Sequence, residues 1–105
     1  MERLYIVVRN DIAPGLQIAQ SCHALRAFVE RFPELDRAWH ESSSNIVVVQ
    51  CADMPELLCT RDELRAHGVP LAEFFEPDLG GQMTAIAVSG EAKRWLRRYS
   101  LALAA

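Results

Sequence analysis

Leu4-Tyr5-Ile6-Val7-Val8 runs apolar into Arg9-Asn10-Asp11-Ile12-Ala13-Pro14-Gly15, and Leu16-Gln17-Ile18-Ala19-Gln20-Ser21-Cys22-His23-Ala24 follows directly. The first five residues are β-branched, aromatic and leucine, the pattern of a strand covered on both faces. It predicts a strand over residues 3–9. Asn10 and Asp11 hydrogen-bond readily to nearby backbone, and Pro14-Gly15 interrupts any regular element, so residues 10–15 read as a turn. A helix is expected from Leu16 to Arg31. A strand, a tight loop and a helix start in succession are the building unit of α/β folds, and the loop between them is where such folds place ligands.

Working outward, Phe32-Pro33 ends that helix, because the residue before proline avoids the helical region. A short second helix is expected over residues 33–40, with Pro33 in its first turn and Leu35 and Trp39 on one side. Glu41-Ser42-Ser43-Ser44-Asn45 reads as a loop, and Ile46 to Cys51 as a second buried strand. Asp53 with Glu56 three residues on marks the start of a third helix, which Gly68 ends. Val69 to Phe75 and Met83 to Val88 read as two further strands around a loop rich in proline and glycine, and Glu91 to Tyr99 as a last helix with Trp95, Leu96 and Tyr99 on its apolar side. The order β-α-α-β-α-β-β-α implies an α/β fold: a single domain with a four-stranded mixed sheet and helices on both faces. The connection over residues 76–82 is too short for a helical crossover, so the last two strands should be antiparallel.

The totals agree with one small domain. The chain has 105 residues, half of them hydrophobic, enough for a core. No apolar run approaches the roughly 20 residues that span a bilayer, and the opening lacks the pattern of a secretory signal, so a cytoplasmic protein without membrane association is expected. Cys22, Cys51 and Cys59 have neither disulfide nor zinc spacing and read as small buried hydrophobes. The net charge is -3, yet residues 89–105 hold Lys93, Arg94, Arg97 and Arg98 against Glu91 alone, so any contact with phosphate must be local.

Placed at about 100° per residue, Ile18, Cys22, Leu25, Val29 and Phe32 of the first helix form one stripe, the expected core face. Leu16, Gln20, His23 and Ala27 fall opposite it. Gln20 and His23 are thus expected to project together, away from the core. Histidine exchanges protons near neutral pH, and a carboxylate such as Asp78, in the loop after the third strand, orients a histidine or activates water. Gln20 and Thr84 offer hydrogen bonds to a carbonyl, Arg9 and Asp11 frame the first loop, and Arg94 and Arg98 are cations on the last helix. No GxSxG, HExxH, P-loop or GxGxxG pattern is present, and neither metal nor cofactor is expected.

These residues carry a resemblance. Ile6-Val7-Val8-Arg9-Asn10-Asp11, then Gly15 and Ala19-Gln20-Ser21-Cys22-His23-Ala24, resemble the N-terminal signature of the type 2 (archaeal/eukaryotic-type) peptidyl-tRNA hydrolases. Asn45-Ile46-Val47-Val48-Val49-Gln50-Cys51, Gly68-Val69-Pro70, Glu76-Pro77-Asp78-Leu79-Gly80 and Thr84-Ala85-Ile86-Ala87-Val88 follow in the family's order over nearly the whole chain. The resemblance implies one domain over residues 1–105, often paired as a homodimer, that hydrolyses the ester between a peptide and the 3′ end of its tRNA without a metal. It carries over Gln20, His23 and Asp78 as catalytic residues. Asp78 or His23 would act as base and Gln20 would polarise the carbonyl. Arg9, Asp11, Thr84, Arg94 and Arg98 are the expected substrate contacts, the arginines of the last helix holding tRNA phosphates. The family's lysine after the loop glycine is Leu16 here, and its threonine four residues after the aspartate is Gln82. Arg9 or a C-terminal arginine is the candidate to supply the missing charge. The alternative reading is a catalytically inactive RNA- or protein-binding domain on the same fold.

Overall fold

The computed structural model describes residues 3–104. Strand β1 (Arg3–Arg9) leads to helix α1 (Pro14–Arg31) and helix α2 (Pro33–Ser42); then come strand β2 (Asn45–Cys51), helix α3 (Met54–Ala66), strands β3 (Leu71–Glu76) and β4 (Gln82–Ser89), and the short helix α4 (Lys93–Leu96). Single 3-10 turns, Pro77–Leu79 and Gly90–Ala92, precede β4 and α4. The sheet order is β2-β1-β4-β3. β1 runs parallel to β2 and antiparallel to β4, and β3 is antiparallel to β4. This is the expected mixed sheet with helices on both faces. The parallel pair is joined through helices, and the tight β3–β4 connection enforces the antiparallel pair.

Alternation along β1 divides the core. Leu4, Ile6 and Val8 face α1 and α2, where Ala24, Phe28 and Trp39 meet Ala72, Ala85 and Ala87. Tyr5 and Val7 face α3 and α4, with Leu57, Leu64, Met83, Ile86, Val88 and Leu96. The helix boundaries have local causes. The Asp53 carboxylate accepts from the Glu56 N–H at 3.0 Å and the Glu56 carboxylate accepts from the Ala52 N–H at 3.1 Å, a reciprocal cap at the start of α3. Gly68, at φ +70°, ends that helix in the left-handed conformation glycine tolerates best.

Three expectations are overturned. The last helix is only Lys93–Leu96; Ser100 then turns back along β2, where the Gln50 N–H donates to the Ser100 carbonyl and the Ala102 N–H to the Val48 carbonyl. A longer helix would forfeit these bonds, which cover the outer edge of β2. Second, Cys51 is buried but Cys22 and Cys59 are exposed. Burial and the neighbouring carboxylates push the Cys51 thiol up to about 12, so it stays protonated and inert.

Third, α1 buries a different face from the one its apolar stripe marks. Gln17, Gln20, Ser21, Ala24 and Phe28 lie against the sheet, whereas Ile18 is 56% exposed and Cys22 is exposed. Small and polar residues let α1 sit close to the equally small Ala85 and Ala87. Hydrogen bonds offset part of the penalty of burial there: Gln17 Nε2 donates to the Ile12 carbonyl at 2.8 Å and Ser21 Oγ to the Gln17 carbonyl at 2.8 Å, while Gln17 Oε1 is buried without a partner among the described residues. The displaced apolar stripe lines an open groove of about 350 Å³ with Ile18, Cys22, Leu25, Ile46, Val48 and Leu103 on its walls. Among the described residues, no helix is long and apolar enough to cross a membrane.

Candidate functional site

The site begins with an irregularity in β4. Phe74 pairs with Ala85 and Phe75 with Met83, so Thr84 is one residue too many for the ladder, a β-bulge. Strict alternation from Ala85, which faces α1, would send Thr84 to the α3 side. The bulge turns Thr84 toward α1 instead, where its hydroxyl donates to Gln20 Oε1 at 2.5 Å. Gln20 Nε2 donates in turn to Glu76 Oε1 at 2.9 Å, and the Asp78 N–H donates to Glu76 Oε2 at 3.1 Å. Thr84 is 0% and Gln20 1% exposed, so the chain of bonds starts inside the fold and ends on a half-exposed carboxylate. That carboxylate fixes the direction of the Gln20 amide, since only the N–H end can face an anion.

Glu76 is held ionised. The Gln20 hydrogen bond, the Asp78 N–H and the nearby charge of His23 all draw its ionisation below the usual carboxylate range. His23 lies in the open, within reach of Glu76's charge but with no hydrogen bond or ion pair to it among the described residues; its ring stacks on Phe74, two residues before Glu76, with centroids 4.4 Å apart and planes 15° off parallel. Gln20 and His23 therefore do not project together: Gln20 points into the sheet and His23 into solvent. The helical projection failed here because the apolar stripe does not mark the face that docks.

The other predicted residues separate. Thr84 joins the chain of bonds as a buried member without a surface of its own. Asp78 is exposed, and among the described residues its carboxylate makes no hydrogen bond or ion pair; its backbone N–H is what serves the site. Arg9 is 7% exposed and fully engaged. Its Nε and Nη2 grip the two oxygens of Asp11 at 2.9 Å each, and its Nη1 reaches Gln82 Oε1 at 2.9 Å and the Met83 carbonyl at 3.1 Å. The pair ties the β1–α1 loop to the start of β4, and the guanidinium holds the Asp11 carboxyl below its ordinary range. Arg9 is thus a brace and does not supply the charge missing at Leu16.

Arg94 and Arg98 belong to the α3 side of the sheet, away from Gln20 and His23. Arg98 Nη1 donates to the Trp95 carbonyl at 2.8 Å, and its Nη2 donates to Thr60 at 3.2 Å and to the Tyr99 hydroxyl at 3.0 Å. Arg94 lies over the Trp95 ring, 4.9 Å from its centroid. Glu76 is the residue that the sequence reading missed. Its one local signal is a side chain before Pro77 that caps the following turn, as the bond from the Asp78 N–H shows. Its partner Gln20 lies 56 residues away, beyond the reach of any local pattern.

What stands together, then, is a fixed anion and a solvent-facing imidazole at the carboxyl end of β3, backed by a buried amide and hydroxyl. A histidine beside a held carboxylate is an arrangement suited to proton transfer. A search of the curated proteins gave no match. Among solved structures, a protein of unknown function from Agrobacterium tumefaciens strain C58 is similar at a TM-score of 0.70 and 12% identity, covering 94% of this chain and 96% of its own. That likeness shows the fold. The family model described as peptidyl-tRNA hydrolase PTH2 matches residues 3–101, from β1 through the whole site to the C-terminal turn along β2, and the chain therefore belongs to the peptidyl-tRNA hydrolase PTH2 family.

Proposed function

We propose that this protein hydrolyses the ester between a peptide and the 3′ end of its tRNA, in the cytoplasm, at the surface around His23. The observation that carries the reading is the run of hydrogen bonds from buried Thr84 through Gln20 to Glu76, which ends beside the one solvent-facing histidine of the family signature. In the reaction, a water oxygen bonds to the ester carbonyl carbon and the bond to the ribose oxygen breaks. His23 takes the proton of the water and returns it to the ribose oxygen as it leaves. Gln20, being buried, serves by holding its neighbours and not by touching the carbonyl. Lys93, Arg94 and Arg97, exposed on the other face of the sheet, offer phosphate contacts to the body of a tRNA that wraps past the sheet edge.

The second reading, a domain that binds RNA or protein without turnover, is favoured by one feature: Leu16 replaces the family lysine, and Arg9, the nearest candidate in sequence to make up its charge, is bound to Asp11. Release of the N-acetylaminoacyl group from purified N-acetylaminoacyl-tRNA separates the two. Turnover that His23→Ala abolishes supports the hydrolase. Tight, salt-sensitive tRNA binding with no release by wild type supports the second reading. The homodimer is part of the same proposal. Ile18, Ile46 and Leu103 are 56%, 43% and 46% exposed around one groove, an apolar patch suited to a second copy. Ile18→Lys should then convert a dimer to a monomer in light scattering; a monomeric wild type would remove this element.

A further inference from the structure

We propose that Glu76, and not Asp78, is the carboxylate through which His23 works. This rests on the hydrolase reading and assigns Glu76 as a positioning residue of that site. Both candidates sit within three residues of each other, so sequence order alone does not separate them. Geometry does. Glu76 is tied at both oxygens, to Gln20 Nε2 at 2.9 Å and to the Asp78 N–H at 3.1 Å. The first of these partners is itself fixed by Thr84 within the fold. The Asp78 carboxylate is exposed and has no such support among the described residues.

A held anion beside a histidine has a defined task. As the imidazole takes a proton from water it gains a positive charge, and a nearby fixed negative charge stabilises that state without reorganising. The carboxylate need not take the proton itself. Each oxygen of Glu76 keeps a lone pair beyond the bonds named, so the anion is both anchored and available. The bulge at Thr84 fits the same purpose: it diverts one side chain from the α3 core to fix the amide that fixes the carboxylate. The charged groups on the elements around His23 are Arg26, one turn along α1 and bonded to Glu30 at 3.3 Å, Arg31 at the far end of α1 over the Phe32 ring, Glu73 of β3, which Arg61 and Arg65 bind, Glu76 at the end of β3, and Asp78 in the turn that follows. Arg26 and Glu73 carry their own partners, which leaves Glu76 and Asp78 as the rivals.

The deciding experiment follows the His23 ring resonances by NMR across pH in wild type, Glu76→Gln, Glu76→Asp and Asp78→Asn, with the pH dependence of kcat/KM measured alongside. Removal of the anion in Glu76→Gln should lower the His23 midpoint measurably. It should also lower turnover about tenfold and move the rise of kcat/KM to lower pH. The amide at position 76 keeps an acceptor for Gln20, and Glu76→Asp keeps the charge, so its midpoint should return toward that of wild type. The shift from Asp78→Asn should be the smaller. A His23 midpoint that Glu76→Gln leaves unchanged, or that Asp78→Asn moves further, overturns the assignment. A wild type without turnover overturns the hydrolase reading and the catalytic part with it, while the titration still decides which carboxylate His23 feels.

Discussion

The two faces of the sheet are built from different materials. On the α3 side, large apolar residues fill the space between helix and sheet: Leu57, Leu64, Met83, Ile86 and Leu96. The polar groups there close on one another. Arg61 and Arg65 bind Glu73 at 2.7 and 3.0 Å, and Thr60 and Arg98 both bond to the Tyr99 hydroxyl. On the α1 side, Gln17, Gln20, Ser21 and Ala24 face Ala85 and Ala87. Small residues bring this helix close enough for Gln20 to reach Thr84, and the polar chain they shelter runs outward to Glu76 and His23. One face is a closed core; the other gives up apolar packing to hold a carboxylate at the surface.

The comparison is most exposed at its anchors. Phe28 on the α1 side and Leu64 on the α3 side are both 0% exposed. Phe28→Ala should cost about 3–5 kcal/mol and Leu64→Ala about 2–5 kcal/mol in urea unfolding. A cost below about 1 kcal/mol for Phe28→Ala would mean that the α1 face is loosely packed and cannot fix Gln20. Next comes Thr84→Val, which keeps the shape but leaves the buried Gln20 oxygen without its donor. It should cost about 1–3 kcal/mol by the same measurement. A neutral result would show that the bulge serves packing alone.

A smaller effect concerns acid. Asp11 and Glu76 both have ionisation drawn downward, the first by the Arg9 guanidinium and the second by the Gln20 amide. A group depressed on folding contributes stability that is complete above its unfolded pKa, about 3.9 for Asp and 4.3 for Glu, and that is lost as pH falls through the folded value. The Tm should therefore hold near neutrality and fall as pH drops below about 4. Arg9→Met should flatten the Asp11 part of that fall, and an unchanged slope would contradict the brace. Smallest of all is Asp78→Asn, which should alter stability by less than about 0.5 kcal/mol. A larger loss would give the Asp78 carboxylate a structural partner that the geometry does not.

The architecture was legible because hydrophobic runs and breakers are local. Leu4–Val8, the Asp53–Glu56 cap, Gly68 and the short turn after Glu76 each dictate their own element, and the mixed sheet follows from connection lengths. The site was half legible. His23 and Gln20 stand out by type and by family signature, yet their directions were misread, because a helix docks by the closeness its small residues allow and not only by its apolar stripe. Ile18 and Cys22 were assigned to a core that Gln17, Gln20 and Ser21 occupy. Glu76 was hidden for a different reason: its role is made by a bond to Gln20 across the fold and by a bulge at Thr84, and neither leaves a mark in the local sequence. The short last helix was missed because Ser100–Ala102 gain backbone bonds along β2 that a helix would deny them.

The most direct test sets the two faces against each other in one assay. N-acetylaminoacyl-tRNA hydrolysis is measured for Gln20→Leu and for Leu57→Ala, each at a temperature well below its own unfolding. The account predicts a loss of about tenfold for Gln20→Leu, as large as removal of the Glu76 charge that Gln20 holds in place, and a change within about threefold for Leu57→Ala, despite the greater loss of stability expected there. Equal losses in the two variants, or undiminished turnover in Gln20→Leu, would contradict it.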